Sequence, residues 1–257
     1  MITLFLAELK RRWRMVKSYP LEDIAGTLIL AAIFYGLFLS ASYLAGPNVQ
    51  FGDRLSSIVV GYMTWLLVLQ TFAGVAGDIQ EEAKTGTLQQ VVMSSFGTTR
   101  VFLVRAVADL SVSLVTIAAT LTIIVFLTGT TLQFPPAMIL PAFTLLLGSA
   151  GLGFAVAALT LVFKRARMVI GMCNFALMFL VMTPLESIPG AARVAGYLLP
   201  LTPSVGMLRD LMARQSGLDA LTFVVALANG LAYFALGILA FRAAQRRAIR
   251  NGSIAAF

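Results

Sequence analysis

Six apolar runs divide this chain, at residues 21–45, 55–76, 101–128, 137–163, 168–184 and 218–241. A helix rises 1.5 Å per residue, so 20 apolar residues span a hydrocarbon core ~30 Å thick. Five of the runs reach that length. The fifth in order, from Met168, meets Pro184 after about 16 residues, or ~24 Å, and crosses only if its helix continues past the proline. The pattern predicts an all-α polytopic membrane protein with six transmembrane helices, a single transmembrane domain over 1–257.

The polar intervals are as informative as the runs. Residues 2–19 place Ile2, Leu6, Leu9, Trp13 and Val16 on one helical face, with Lys10, Arg11, Arg12, Arg14 and Lys17 around the rest. A cationic face, an apolar face and an interfacial Trp describe an N-terminal interfacial amphipathic helix lying in the headgroup plane, which Pro20 stops. The apolar run that follows exceeds the 7–15 residues of a signal-peptide core, which argues against a cleaved leader. Between the fifth and sixth runs, residues 185–203 carry Glu186, Pro189, Gly190, Arg193, Pro200 and Pro203. Too broken for a span, this stretch reads as re-entrant outer-leaflet helices whose backbone needs protein cover. A polar segment, 209–219, precedes the sixth run, and 242–257 form a basic tail.

The longest polar interval is 78–100, and it holds Asp78, Glu81 and Glu82. From Leu88 the apolar positions Leu88, Val91, Val92 and Phe96 fall on one helical face. Thr85 and Thr87 are candidate N-caps on either side of Gly86, which breaks the acidic turn from the helix after it. The interval is therefore an ordered elbow between the second and third spans. In the third span Arg105 and Asp109 are four apart and can pair on one face. Gly148, Gly151, Ala155 and Ala158 form a small-residue stripe along the fourth, suited to close helix packing.

Charge orients the bundle. The net charge is +8, but the Lys and Arg residues sit beside span ends, which points to headgroups rather than nucleic acid. With both termini, the elbow and the turn at 164–167 in the cytoplasm, fifteen of the nineteen Lys and Arg lie inside, and Arg54, Arg193, Arg209 and Arg214 lie outside. That bias follows the positive-inside rule.

Much chemistry is excluded. The chain has no His, which removes His-ligated metals and Ser–His or Cys–His catalysis, and its one cysteine, Cys173, cannot form an internal disulfide. No P-loop sequence occurs, so an ATP engine would belong to a partner. Acidic residues stay at span ends or in loops, where a proton- or sodium-coupled carrier would bury one. No catalytic or metal-binding set is expected. Deep in the spans, Gln70, Thr116, Thr120, Asn174, Phe175 and Asn229 are candidates for a translocation path, with interhelical hydrogen bonding as the competing account of the polar ones. Phe175, Phe179, Met172, Met178 and Met182 give the fifth run a soft wall suited to an amphiphilic cargo or to lipid.

The elbow also carries a resemblance. Glu82, then Gly86-Thr87-Leu88, then an apolar run and a small-residue turn, resembles the cytoplasmic coupling segment of type-2 ABC exporter permeases. The sequence departs from that family at Gln89, where an acid is common, and at Phe96, where Pro is common. The resemblance implies a cytoplasmic coupling helix that docks on a separate ATP-binding cassette subunit. It implies two copies of that subunit carrying ATP and Mg, a second copy of this chain or a homologous permease, and the bacterial cytoplasmic (inner) membrane. Coupling would fall to Asp78, Glu81, Glu82, Lys84, Thr85, Gly86, Thr87, Leu88, Val91 and Val92, with Lys164, Arg165 and Arg167 as a smaller contact. Glu82 is expected to meet a basic group on the partner or on the interfacial helix, and Leu88, Val91 and Val92 to enter a cleft. The cargo would be a drug, lipid or lipid-linked glycan. A secondary carrier or channel, and a non-transporting scaffold or sensor subunit, are the alternative readings.

Overall fold

In the computed structural model the described residues are 2–45, 52–94, 97–162, 166–185 and 196–250, and no strand occurs among them. The chain runs through α1 (Ile2–Ser18), α2 (Pro20–Ala45), α3 (Gly52–Lys84), α4 (Leu88–Val92), α5 (Thr98–Thr128), a 3-10 turn at Pro136–Met138, and α6 (Ile139–Val162). It continues through α7 (Ala166–Met182), α8 (Thr202–Met212) and α9 (Ala220–Arg250). Five stretches are long and apolar enough to cross a membrane: Pro20–Ser40, Leu55–Lys84, Thr98–Thr128, Pro136–Leu161 and Ala220–Arg250. Helix α7, at 17 residues, is shorter, ~25 Å by its rise per residue.

The five long helices are not equivalent. Within the apolar windows of α3 and α6, 61% of residues are buried, against 11% in α2 and 17% in α9. So α3 and α6 form the inside of the bundle, and the others wrap them. Helix α3 contributes to all three hydrophobic clusters: with α2 and α5 through Val59, Tyr62 and Leu66, with α6, α7 and α8 through Val68 and Phe72, and at its end through Val75, Ile79 and Ala83. Tyr62, fully buried, donates its hydroxyl to the Leu30 carbonyl of α2 at 2.7 Å. Without water in the membrane interior, that bond removes an otherwise orphaned polar group.

Close approach dominates the α6–α9 contact. A Cβ on Gly151 would fall onto the Tyr233 and Phe234 backbone, and one on Gly237 onto the Gly151 carbonyl. A Cβ on Gly230 would stand 2.7 Å from the Thr144 carbonyl oxygen. The small-residue stripe of α6 therefore meets a matching one on α9, as packing in lipid favours. Gly153 serves the other side of α6, where Val75 and the Phe72 carbonyl lie about 3 Å from such a Cβ.

The second half differs from the sequence expectation. The expected boundary between a re-entrant stretch ending at 203 and a polar segment from 209 is crossed by one helix: Thr202 and Pro203 open α8, with proline in the first turn where its missing N–H costs nothing. Leu201 before it takes a left-handed conformation at φ 68°. Helix α8 is buried along most of its length, and Thr144 of α6 shares a 2.8 Å hydroxyl contact with Ser204. Arg209, expected in a polar outer segment, is 1% exposed instead. Its guanidinium donates to the carbonyls of Val181, Met182 and Thr183, which α7 leaves open where it stops before Pro184. Of the expected re-entrant stretch 185–203, residues 186–195 lie outside the described residues. The basic tail is not separate either, since α9 continues without a break from the apolar run to Arg250.

Packing at the α6–α9 seam makes a direct prediction. Gly237→Val should lower the thermal unfolding midpoint of the purified protein by an amount corresponding to about 1–3 kcal/mol of overpacking. Gly26→Ala, at a position with nothing within 4 Å of the added Cβ, should leave it unchanged.

Candidate functional site

The elbow begins inside a helix. The sequence places Asp78, Glu81 and Glu82 in a polar turn after the second span, but α3 runs unbroken to Lys84. The reason is its apolar stripe: Val75, Ile79 and Ala83 recur every four residues and are all buried. Asp78 and Glu82 then share the neighbouring stripe, one turn apart. Glu81 and Lys84 are exposed.

Gly86 makes the turn, at φ 74°, with nothing within 4 Å of an added Cβ. It is conformation, and not space, that selects glycine here. The Thr85 hydroxyl folds back on the Glu81 carbonyl at 2.9 Å and meets the Thr87 hydroxyl at 2.7 Å. The Thr87 carbonyl accepts from Gln90 and Val91 as a helix start does. Its hydroxyl, however, goes to the Glu82 carboxylate, so Thr87 caps through its backbone while its side chain ties down the acid. Thr85 belongs to the end of α3 and not to the start of α4.

Helix α4 is a short turn of helix, Leu88–Val92, and does not extend to Phe96, which lies outside the described residues. Val91 and Val92 pack against the chain's own cluster of Val75, Ile79, Phe102, Phe154 and Phe241. The expectation places Leu88, Val91 and Val92 in a partner's cleft; the two valines instead pack, partly buried, against the chain's own core and fix α4 to the bundle, while the side chain of Leu88 lies outside the described residues. The surface left outward carries Glu81, Lys84, Thr85, Gly86 and Gln90, and Met93 at 76% exposure.

Arg105 of α5 is the centre of this end. It donates from Nη1 to Glu82 Oε1 at 2.8 Å. Its other nitrogens stand 3.5 Å from Glu8 of α1 and 3.8 Å from Asp78. Phe102 lies one turn earlier, with its ring 5.4 Å below the guanidinium. Glu8 also accepts from Arg11 at 2.7 Å, and Arg12 stands 3.7 Å from Asp109. So the i,i+4 pair expected between Arg105 and Asp109 is replaced by contacts across helices. Glu82 meets its basic partner on α5, and not on α1; α1 joins through Glu8.

That network turns α1. Its partly buried stripe is Phe5, Glu8, Leu9, Arg12 and Val16, while Leu6 and Trp13 stay 55% and 48% exposed. Of the predicted apolar face, Leu9 and Val16 face inward. The two ion pairs with α5 outweigh full burial of the rest, which leaves Leu6 and Trp13 outward, with Lys17 Nζ 5.8 Å from the Trp13 ring.

The six candidates deep in the spans are dispersed. Gln70 lies on α3, Thr116 and Thr120 on α5, Asn174 and Phe175 on α7, and Asn229 on α9. Thr120 is fully buried and donates to the Thr116 carbonyl at 2.9 Å. Asn229 donates to the Tyr197 and Leu199 carbonyls, each at 3.0 Å, and accepts from the Leu201 amide. It holds the turn before α8. Phe175 is exposed and meets Phe179 edge-on at 4.9 Å, on an outer face of α7. Lys164 and Arg165 lie outside the described residues, as does the side chain of Arg167.

Two residues escaped the sequence reading. Glu8 is the lone acid among the cations of α1, at the helical spacing of Phe5, Leu9 and Arg12, a position that signals an inward charge. Arg209 shares the stripe of Val205 and Met212, and a cation in line with an apolar face is the same signal.

The elements together define a helical integral membrane protein whose soluble elbow is locked to one span and to a surface helix. The ABC-2 type transporter family matches residues 1–213, and the chain belongs to that family, as its transmembrane permease subunit. Helix α9 lies beyond the matched range. No curated protein matches the chain.

Arg105 gives the second prediction. Its replacement by Met strands partly buried carboxylates and should destabilise the protein by about 1–3 kcal/mol. In a double-mutant cycle, Arg105→Met and Glu82→Gln should be non-additive by at least about 1 kcal/mol. Additive losses in thermal unfolding would break the assignment of these two as one unit.

Proposed function

We propose that this chain spans the membrane six times, with both termini in the cytoplasm of a bacterial inner membrane, and forms an exporter's translocation path together with a second copy of itself or a homologous permease. Two ATP-binding cassette subunits, carrying ATP and Mg, dock beneath the elbow. Helix α7, whose last carbonyls Arg209 caps, makes the sixth crossing. The distribution of Lys and Arg supports the orientation, and burial removes Arg209 from the few on the outer side.

The observation that carries this reading is the chain of contacts from the Thr85–Thr87 turn through Glu82 to Arg105 and on to Glu8. A soluble engine can move membrane helices only through an element rigidly joined to them. Here a push on the turn reaches α3 directly, α5 through a charge-assisted hydrogen bond, and α1 through the same guanidinium. The outward residues of the elbow, Met93 and Gln90 among them, supply the docking face. Glu82, Gly86 and Thr87 set its geometry, while Val91 and Val92 anchor it from inside. For cargo, the exposed Met168, Met172, Phe175 and Phe179 face of α7 favours an amphiphilic or hydrophobic molecule such as a drug, lipid or lipid-linked glycan.

Co-purification with a Walker-type ATPase tests the reading. Met93→Asp should lower the amount of ATPase retained several-fold while the permease itself stays folded. Glu82→Ala should keep more of the bound ATPase yet lose cargo-stimulated hydrolysis. A wild-type chain that retains no ATPase, or variants that match wild type in both readouts, would sink the exporter mechanism.

A further inference from the structure

At the elbow end, beside the locked turn, a cavity of about 430 Å³ opens between the start of α5 and the far end of α9. Arg100, Arg242, Thr98, Thr99, Gln245 and Val92 line it, and none of its lining residues is acidic. Gln245 donates from Nε2 to the Thr98 hydroxyl at 2.9 Å, which pins the two helices together at the cavity wall. The side chains of Arg100 and Arg242 are exposed. No ion pair with a carboxylate is found for either among the described residues. Two guanidinium groups thus share one polar cavity without an acid from the described residues to neutralise them.

Their depth says what neutralises them. Arg100 immediately precedes the apolar run at 101–128, and Arg242 immediately follows the run at 218–241. Phe241, one residue earlier, is fully buried and packs tilted against Phe154, with ring centroids 5.4 Å apart. Both arginines therefore stand where hydrocarbon gives way to headgroups, on neighbouring spans. Guanidinium forks match phosphate oxygens in two-point contacts, and basic pockets between membrane helices on the cytoplasmic side hold anionic headgroups.

We propose that this cavity is a binding site for the phosphate of an anionic phospholipid headgroup of the cytoplasmic leaflet. Arg100 and Arg242 grip the phosphate from two sides, and the Thr99 hydroxyl donates to it. The acyl chains leave along the apolar surfaces of α5 and α9. The bound lipid bridges the end of the elbow to α9, joining by charge two helices that otherwise meet through a single side-chain hydrogen bond here. The site rests on the orientation proposed above and not on the ATPase partner.

The test uses the purified full chain without any ATPase. It is titrated in detergent with phosphatidylglycerol or with phosphatidylcholine, with lipid adducts read by native mass spectrometry and stabilisation read by thermal unfolding. Wild type should bind phosphatidylglycerol and be stabilised by it, with little response to phosphatidylcholine. Arg100→Gln/Arg242→Gln should weaken phosphatidylglycerol binding by about tenfold or more. Arg246→Gln/Arg247→Gln removes the same charge from exposed positions further along α9 and should change it less than about twofold. Arg100→Lys/Arg242→Lys, which keeps charge and loses the forks, should fall between them, so a misfolded Gln variant does not decide the matter. Equal losses in the two Gln pairs would reduce the site to general surface charge and overturn it. Competition by millimolar inorganic phosphate or ADP as strong as that by lipid would assign the cavity to a soluble phosphate instead. Unchanged lipid binding with loss of a co-purifying ATPase would make it a protein contact, and the proposal would fall.

Discussion

One cation holds the business end of this protein together. Arg105 stands on α5 at the level where three acidic residues converge, two from the end of α3 and one from α1. Its side chain is about 10% exposed, so solvent screens these contacts little. A single carboxylate there would form an ordinary pair. Because three share one planar group, the positions of α1, α3 and α5 are coupled: none can rotate without unseating a hydrogen bond or an ion contact that the others use. The Thr85–Thr87 turn inherits that rigidity through Glu82. A short polar link between spans, which by composition could be a loose tether, becomes a fixed projection of the bundle.

Much of this was legible in the sequence, because lipid imposes a simple rule on composition. The long apolar runs of α2, α3, α5, α6 and α9 are visible as soon as length is compared with bilayer thickness, and Gly86 marks its turn by residue type alone. The close seam between α6 and α9 was half visible, in Gly148 and Gly151. Its other half, Gly230 and Gly237, lies a helix pair away in sequence, and no local pattern links the two. Within the elbow, residue identity located Glu82 and Thr87 but could not say which way Val91 and Val92 face. An amphipathic turn of five residues presents the same stripe to a partner's cleft as to its own core. Only the position of Phe102, Phe154 and Phe241 decides.

Polar residues inside apolar surroundings were the least legible. Asn229 could have lined a path, yet its amide is bonded to the backbone of the 197–201 turn. Arg209 read as an outer charge because its neighbours Asp210 and Arg214 are polar. It donates to backbone carbonyls at and just past the end of α7, groups that carry no sequence signature at all. The rotation of α1 has the same origin. Periodicity finds the apolar face of a helix, but two ion pairs at its edge can turn that face partly away from the protein.

The seam between α6 and α9 bears on how such a bundle could deform. Where Gly237 lies against the Gly151 backbone there are no side chains to change rotamer and no gap to slide through. The two helices therefore behave as a single spar, stiff in bending and fixed in register. Among the described residues α2, whose apolar length is mostly bare, shows no such seam, and its Gly26 and Gly36 face open space. Bending is therefore accommodated more easily on the α2 side of the bundle than across the α6–α9 seam.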